Sequence, residues 1–180
     1  RGVLDTEGRP GPKHGFWSGG LVFHGNGGLR PEDVFREGIP AKASPEVFDI
    51  ARHQTDDPRS GLRGGCISPE TPAGFADEGG FVYALMPVGG ALDLQILDHE
   101  QGSGQAAGAS GETEFAFPSH QPAHVVAGAY PVGSRLNLDS LFHPLGDFIP
   151  NPNLGAAERA RLPARLKKFF EPSLSSPNLS

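Results

Sequence analysis

The sequence contains little of what stabilises secreted or membrane-bound proteins. Its single cysteine, Cys66, excludes an internal disulfide and gives no reason to expect folding in an oxidising compartment. No apolar run approaches the ~18 residues of a membrane-spanning helix, and the opening RGVLDTEGRPGP lacks the apolar core of a signal peptide. We therefore expect a domain that works in a reducing cytosol and has no membrane partner.

Hydrophobic residues are also scarce, while glycine and proline are abundant. The chain of 180 residues contains 26 Gly and 18 Pro, and only 37% of its residues are hydrophobic. At this length one domain can bury its own core, but the composition predicts long loops and irregular ends. We expect one α+β domain over residues 17–171, a linker or disordered segment over 1–16 and a flexible tail over 172–180.

The charge balance is acidic, with a net charge of −6. Because nucleic-acid binding draws on phosphate neutralisation, this balance argues against such a partner for the domain as a whole. A local basic patch is the exception, and GAAERARLPARLKKFFEP predicts a basic helix interrupted at Pro163. Its cations form either a solvated face or a docking surface for a nucleic acid or partner protein. They are Arg159, Arg161, Arg165, Lys167 and Lys168.

Periodicity and end signals predict short helices between several strands. In RPEDVFREG, Pro31 suits the first helical turn and Gly38 ends the helix. SPEVFDIARHQ predicts a second helix with Ser44 as its N-cap, and PETPAGFADEG a helical turn. Apolar, β-prone runs predict the strands. They are LVF leading to His24, RGGCIS, GFVYALMP, ALDLQIL, ETEFAFP and HVVAGAYPVG.

Two glutamates stand one residue apart in GASGETEFAFP, after a loop of small residues. On a strand, Glu112 and Glu114 point to the same face, about 6–7 Å apart, while Phe115 and Phe117 point to the other. One carboxylate of such a pair can stabilise a developing cation while the other accepts a proton from a nucleophile. Both could equally be solvated charges at the start of a strand.

Three blocks in order resemble the mono-ADP-ribosyltransferase toxins of the pertussis and cholera type. The blocks are LVFHGN with LRPEDVFREGI, then GGCISPETPAGFADEGGFVYALMP, then ETEFAFP with HVVAGAYPV behind it, from Leu21 to Val132. In that family the first strand ends in an aromatic residue and an arginine, the second carries Ser-Thr-Ser, and the third carries Glu-x-Glu or Gln-x-Glu. The resemblance implies two small packed antiparallel sheets around an NAD cleft, with short helices.

The resemblance also assigns roles to the two carboxylates. NAD would be the substrate, cleaved between nicotinamide and ribose, with Glu114 holding the ribose 2'-hydroxyl and stabilising the oxocarbenium-like transition state. Glu112 would activate the nucleophile, and a glutamate at that position goes mainly with arginine as acceptor. Residues 100–111 match the family's target-recognition loop.

Two residues depart from the family pattern. His24 stands where the family has the arginine that supports the NAD phosphates, and Cys66 replaces the first serine, which would orient the catalytic glutamate. An imidazole is mostly uncharged at pH 7, and a thiol is a poorer hydrogen-bond donor than a hydroxyl. Cys66 is otherwise a small buried residue, a nucleophilic role being the alternative.

The expected NAD-binding set extends beyond these two residues. It comprises His24, Gly25, Asn26, Arg30, Cys66, Ser68 and Phe75. The GNGG turn could cradle a phosphate, although glycine runs also mark plain turns. No metal is expected, because Pro118 and Pro122 argue against a helix that would align His120 with His124.

The sequence thus predicts a toxin domain that transfers ADP-ribose from NAD to a target macromolecule, with protein arginine as the favoured acceptor. By analogy it is the C-terminal toxin domain of an Rhs-type polymorphic toxin, a delivered effector acting in the target-cell cytoplasm and blocked by an immunity protein. Two alternatives remain. One is modification of RNA or DNA by the same fold, and the other is a catalytically impaired NAD-binding or interaction domain.

Overall fold

Eight short strands and four short helices form the described part of the chain. The computed structural model describes residues 16–17, 20–42, 48, 53, 60–94, 114–134 and 143–171. The strands are β1 Phe16–Trp17, β2 Val22–Asn26, β3 Leu62–Cys66, β4 Phe81–Leu85, β5 Ala91–Asp93, β6 Glu114–Pro118, β7 Val126–Pro131 and β8 Ile149–Pro150. The helices are α1 Pro31–Glu37, α2 Ala73–Ala76, α3 Ala156–Ala160 and α4 Ala164–Lys167, with a 3-10 turn at Ala123–Val125.

The strands pair antiparallel in the order β1-β5-β6-β3-β2-β4-β7-β8. Five residue pairs join β3 to β6, and five join β2 to β4. Between β2 and β3, however, the only paired residues are Phe23 and Cys66. The sheet therefore consists of two antiparallel four-stranded halves that meet at one pair and separate on one side of it. The expected α+β fold of two antiparallel sheets with short helices is confirmed in this form.

Alternation along the central strands divides the core between the two faces of the sheet. Leu21 and Phe23 pack with apolar residues of the C-terminal helices, among them Leu162 and Leu166. Strand residues that point to the other face pack against Val34 and Phe35 of α1. They include Val22, Tyr83, Phe115 and Phe117. Since one face is covered by α1 and the other by the chain's C-terminal part, both faces of the central strands are buried.

The local signals for the helices operate as the sequence predicts. Helix α1 begins at Pro31, and Gly38, at a φ of 87°, donates its N–H to the Val34 carbonyl at 2.8 Å. The basic C-terminal helix is interrupted at Pro163, which lies between α3 and α4. Of the helix predicted in SPEVFDIARHQ, only Phe48 and His53 lie within the described residues.

Strands β1 and β8 were not predicted, and each contains only two residues. Strand β2 runs to Asn26, two residues beyond the predicted end at His24. Residues 1–15, 100–111 and 172–180, and with them most of the predicted linker, the recognition loop and the tail, lie outside the described residues. Among the residues described, no helix is long and apolar enough to cross a membrane.

Gly65 lies beside the junction of the two halves and leaves no space for a side chain. A Cβ atom there would lie 2.3 Å from Val22 Cγ1 and 2.9 Å from the Phe23 carbonyl oxygen. We expect Gly65→Ala to lower the free energy of unfolding by about 1–3 kcal/mol, the usual cost of overpacking. Urea unfolding at pH 7 measures this change.

Gly74→Ala is the matched control, because no atom lies within 4 Å of a Cβ built at Gly74 in α2. That variant should be as stable as the parent or up to about 1 kcal/mol more stable, since alanine favours a helix over glycine. Equal stability of Gly65→Ala and the parent would show that the two halves can move apart without cost.

Candidate active site

A cavity of about 300 Å³ opens where β2 and β3 separate. Its walls come from β2, β3, the start of β6 and the region of α2. Five residues that the sequence singled out line it; they are His24, Gly25, Cys66, Phe75 and Glu114. Six others were not anticipated; they are Lys42, His53, Arg63, Gly64, Gly65 and Pro72.

Glu114 begins β6 beside the cavity, opposite Cys66 of β3. Its side chain is 31% exposed, and its Oε1 atom lies 2.9 Å from His53 Nε2. A Cβ at Gly64 would lie 2.8 Å from the same Oε1 atom, so a glycine is needed for the carboxylate to lie over β3. The His53 side chain therefore holds the carboxylate, and the absence of a side chain at Gly64 leaves room for it over β3.

His53 holds this carboxylate from a buried position. Since a carboxylate oxygen accepts, the Nε2–H of His53 is the donor to Glu114. The imidazole is buried, and its Nδ1 atom has no hydrogen-bond partner. A polar atom left unpaired in the wall of a cavity is a candidate contact for a ligand.

His24 joins the two halves of the sheet through its side chain. Its Nδ1 atom lies 2.7 Å from the Gly64 carbonyl oxygen, and because a carbonyl only accepts, Nδ1 carries the hydrogen. Burial, and next the charge of Arg63, lower the pKa of His24 to about 4. The imidazole is consequently neutral at pH 7, and its buried Nε2 atom is an acceptor without a partner.

The neutral state of the His24 imidazole does not suit the expected role of binding the NAD phosphates. A phosphate oxygen is itself an acceptor, and Nε2 has no hydrogen to donate to it at pH 7. A ligand hydroxyl or amide N–H is the group that Nε2 can bind. His24 therefore lines the cavity as expected, but its chemistry differs from that of the family's arginine.

Two cations line the cavity from the other side. Arg63 donates from Nε to the Ser119 carbonyl at 3.2 Å and from Nη2 to the Pro40 carbonyl at 2.8 Å. Lys42 donates from Nζ to the Leu62 carbonyl at 3.0 Å. Together with the one carboxylate of Glu114, they make the described part of the cavity cationic although the whole chain is acidic.

The cavity wall does not include three of the residues expected to bind NAD. Asn26 accepts from the Gly28 and Leu29 amides at 2.8 and 2.9 Å, so it stabilises the turn after β2. Arg30 is exposed and donates to the Gly79 carbonyl at 3.3 Å. Ser68 is half-buried beyond the end of β3. The expected partner of Glu114, Glu112, lies outside the described residues.

The residues that sequence reasoning missed differ in the signal they carried. Arg63 stands inside the otherwise uncharged strand LRGGC, and a charge within a buried strand could have marked it. His53 and Lys42 carry no comparable pattern, because neither lies in a motif. Among the described residues, no group of three His, Cys, Asp or Glu side chains could hold a metal ion.

Comparisons with known proteins place this fold. No protein-family model matches the sequence, and no curated protein sequence is significantly similar to it. A variant of the Scabin toxin from Streptomyces scabies has a TM-score of 0.60 at 18% identity, over 84% of this chain and 86% of that one. A guanine-specific ADP-ribosyltransferase gives 0.57 at 18% identity, over 86% and 89%. The chain has an ADP-ribosyltransferase fold.

One of these similar structures contains a dinucleotide. It is the Scabin toxin in complex with NADH, with a TM-score of 0.55 at 18% identity over 76% of each chain. In the ADP-ribosyltransferase fold of this chain, the cavity between the two halves brings together the expected Glu114, Cys66 and His24.

The titration of His24 predicts a pH dependence of stability. Between its unfolded pKa and its folded pKa of about 4, the unfolded chain binds a proton that the folded chain does not, so stability falls as pH falls. In His24→Gln the amide can still donate to Gly64 but does not titrate. From pH 7 to pH 5, the parent should lose about 2 kcal/mol more than this variant.

Urea unfolding of both proteins at the two pH values measures the difference. The carboxylates elsewhere in the chain are common to both proteins and cancel in the comparison. The same loss in parent and variant would mean that folding does not lower the pKa of His24.

Proposed function

We propose that this domain is an NAD-dependent mono-ADP-ribosyltransferase. The observation that carries the proposal is the position of Glu114, fixed by His53 over Gly64 in the cavity where the two halves of the sheet separate. The ADP-ribosyltransferase fold and the NADH complex of one similar structure support NAD as the substrate.

The proposed reaction breaks the bond between the nicotinamide nitrogen and the ribose carbon of NAD. The bonding electron pair passes to nicotinamide, the sugar acquires oxocarbenium character, and the acceptor bonds to the same carbon and then loses a proton. The Glu114 carboxylate provides a preplaced negative charge for the cationic sugar. His53 keeps that charge in position, since its Nε2–H lies 2.9 Å from Oε1.

The other cavity residues suit the remaining groups of NAD. Lys42 and Arg63 offer positive charge to an anionic pyrophosphate. The unpaired acceptor His24 Nε2 suits a ribose hydroxyl or the carboxamide N–H, and the unpaired His53 Nδ1 atom suits a ribose hydroxyl, which can both donate and accept. A volume of about 300 Å³ is at the lower end for small-molecule pockets, so the cavity would enclose one end of the dinucleotide.

A guanine base of a nucleic acid is the acceptor that we propose. The support is a similar structure named as a guanine-specific ADP-ribosyltransferase. Protein arginine remains the second candidate; it depends on Glu112, which lies outside the described residues.

Biological activity as a toxin is proposed on the same basis. Scabin is named as a toxin, and by analogy this domain would be a delivered effector that acts in the target-cell cytoplasm. An Rhs-type parent protein and a cognate immunity protein extend the same proposal. The alternative of a domain impaired in turnover draws on the neutral His24 and on Cys66 in place of serine.

The role of Glu114 predicts a loss of catalysis without a loss of fold. Glu114→Ala should reduce NAD hydrolysis by about 10²–10³-fold, because it removes the charge that stabilises the transition state. Release of nicotinamide from labelled NAD measures the rate, and thermal unfolding checks the fold.

Glu32→Gln is the control, because it neutralises an exposed carboxylate of α1 outside the cavity wall. It should hydrolyse NAD like the parent. Near-parental hydrolysis by Glu114→Ala would remove the catalytic assignment, and no hydrolysis by the parent would favour the impaired domain.

The acceptor class is tested by incubating the parent with NAD labelled in the adenylate and a cell lysate. Separate portions are then treated with protease and with nucleases. If guanine in a nucleic acid is the acceptor, the label should survive protease and become soluble after nuclease treatment. The opposite result would establish a protein acceptor and return arginine to first place.

A further inference from the structure

A second groove lies on the sheet near the candidate active site. Its floor is formed by Leu21, Phe23 and Ile67, and two cations from the C-terminal helices, Arg161 and Arg165, line it together with Gly20 and Pro163. We call these residues the basic groove; its volume is about 320 Å³. The side chain of Ile67 is 55% exposed, so part of the apolar floor is open to solvent.

The basic groove and Glu114 lie on the same face of the sheet. Phe23 pairs with Cys66, and Cys66 pairs with Glu114, so the three residues form one cross-strand row. Side chains in such a row point to the same face, and neighbouring strands are about 5 Å apart. The floor of the basic groove at Phe23 is therefore about 10 Å from the backbone of Glu114.

The charge of the groove contrasts with that of the chain. The net charge is −6, yet the described segment 156–171 contains five cationic and two anionic side chains. Three of these cations do not line the groove: Arg159 lies over the Phe170 ring, Lys168 over Phe169, and Lys167 donates to Ala160. Arg161 and Arg165 are the two of the five that line the groove.

We propose that the basic groove binds the sugar-phosphate backbone of the nucleic acid whose guanine base is presented to Glu114. This inference rests on the proposed function and names the surface that recognises its acceptor. Arginine binds phosphate through paired donors. Nucleotides of one strand are spaced about 3.4 Å apart along a helix. The groove floor at Phe23 thus lies about three nucleotides from the modified base, and the two arginines bind the phosphates that reach it.

The test compares two double variants that remove equal charge from the same segment. Arg161→Ala/Arg165→Ala removes the cations of the basic groove, and Lys167→Ala/Lys168→Ala removes two that do not line it. The probe is a fluorescein-labelled single-stranded DNA of ten nucleotides, with one guanine among thymines. Fluorescence anisotropy between 50 and 200 mM KCl gives Kd and its salt dependence, and thermal unfolding checks both folds.

The groove variant should raise Kd about tenfold and reduce the slope of log Kd against log salt by about 1.4, as expected for two lost phosphate contacts. The lysine variant should stay within about threefold of the parent. All three proteins should hydrolyse NAD equally in the absence of acceptor, because neither pair lies in the cavity.

Equal losses in the two double variants, or parental binding by the groove variant, would overturn the proposal. It would also be wrong if the groove variant bound DNA normally but failed to label a protein acceptor, which would assign the groove to an acidic protein segment. If the parent bound DNA through the groove but did not hydrolyse NAD, the proposed function would fail, while the assignment of the groove to a nucleic-acid backbone would hold.

Discussion

The pairing of Phe23 with Cys66 is the constraint on which the cavity depends. Because only this pair joins β2 to β3, the strands can separate beyond it, and the space between them becomes a cavity instead of a closed ladder. The His24 side chain replaces a missing backbone bond by donating to Gly64. Because the Nδ1–H of His24 is used in this bond, the neutral imidazole has no second N–H to donate to a ligand.

Glycines around the junction let backbones approach where side chains would collide. A Cβ at Gly25 would lie 2.0 Å from the Pro72 carbonyl oxygen, so α2 can lie directly against β2. A Cβ at Gly64 would lie 2.8 Å from the end of the Glu114 side chain, and a Cβ at Gly65 would meet both the Val22 side chain and the Phe23 backbone. The position of the Glu114 carboxylate and the walls of the cavity thus depend on residues that contribute no side chain.

Features whose signals lie within a few neighbouring residues could be predicted from the sequence, whereas contacts between distant residues could not. Helix α1 has its signals within a few residues, and Glu114 stands in a motif, so both were found. His53 was missed because its partner, Glu114, is 61 residues away along the chain and no local pattern links the two. Asn26 and Arg30, which the sequence assigned to NAD binding, do not line the cavity; their side chains bond to a turn and to a carbonyl. Two-residue strands are too short for alternation to show.

The basic groove and the cavity draw their charged residues from separate parts of the chain, so each can change without the other during evolution. The residues lining the cavity all come from positions 24–114, whereas Arg161 and Arg165 come from a separate stretch, one on each side of Pro163. Leu162 and Leu166 anchor that stretch in the core, whereas Arg161 and Arg165 are exposed, so replacing either arginine does not disturb the core packing. Mutation within this one short stretch can thus change the charge of the groove while the cavity stays intact.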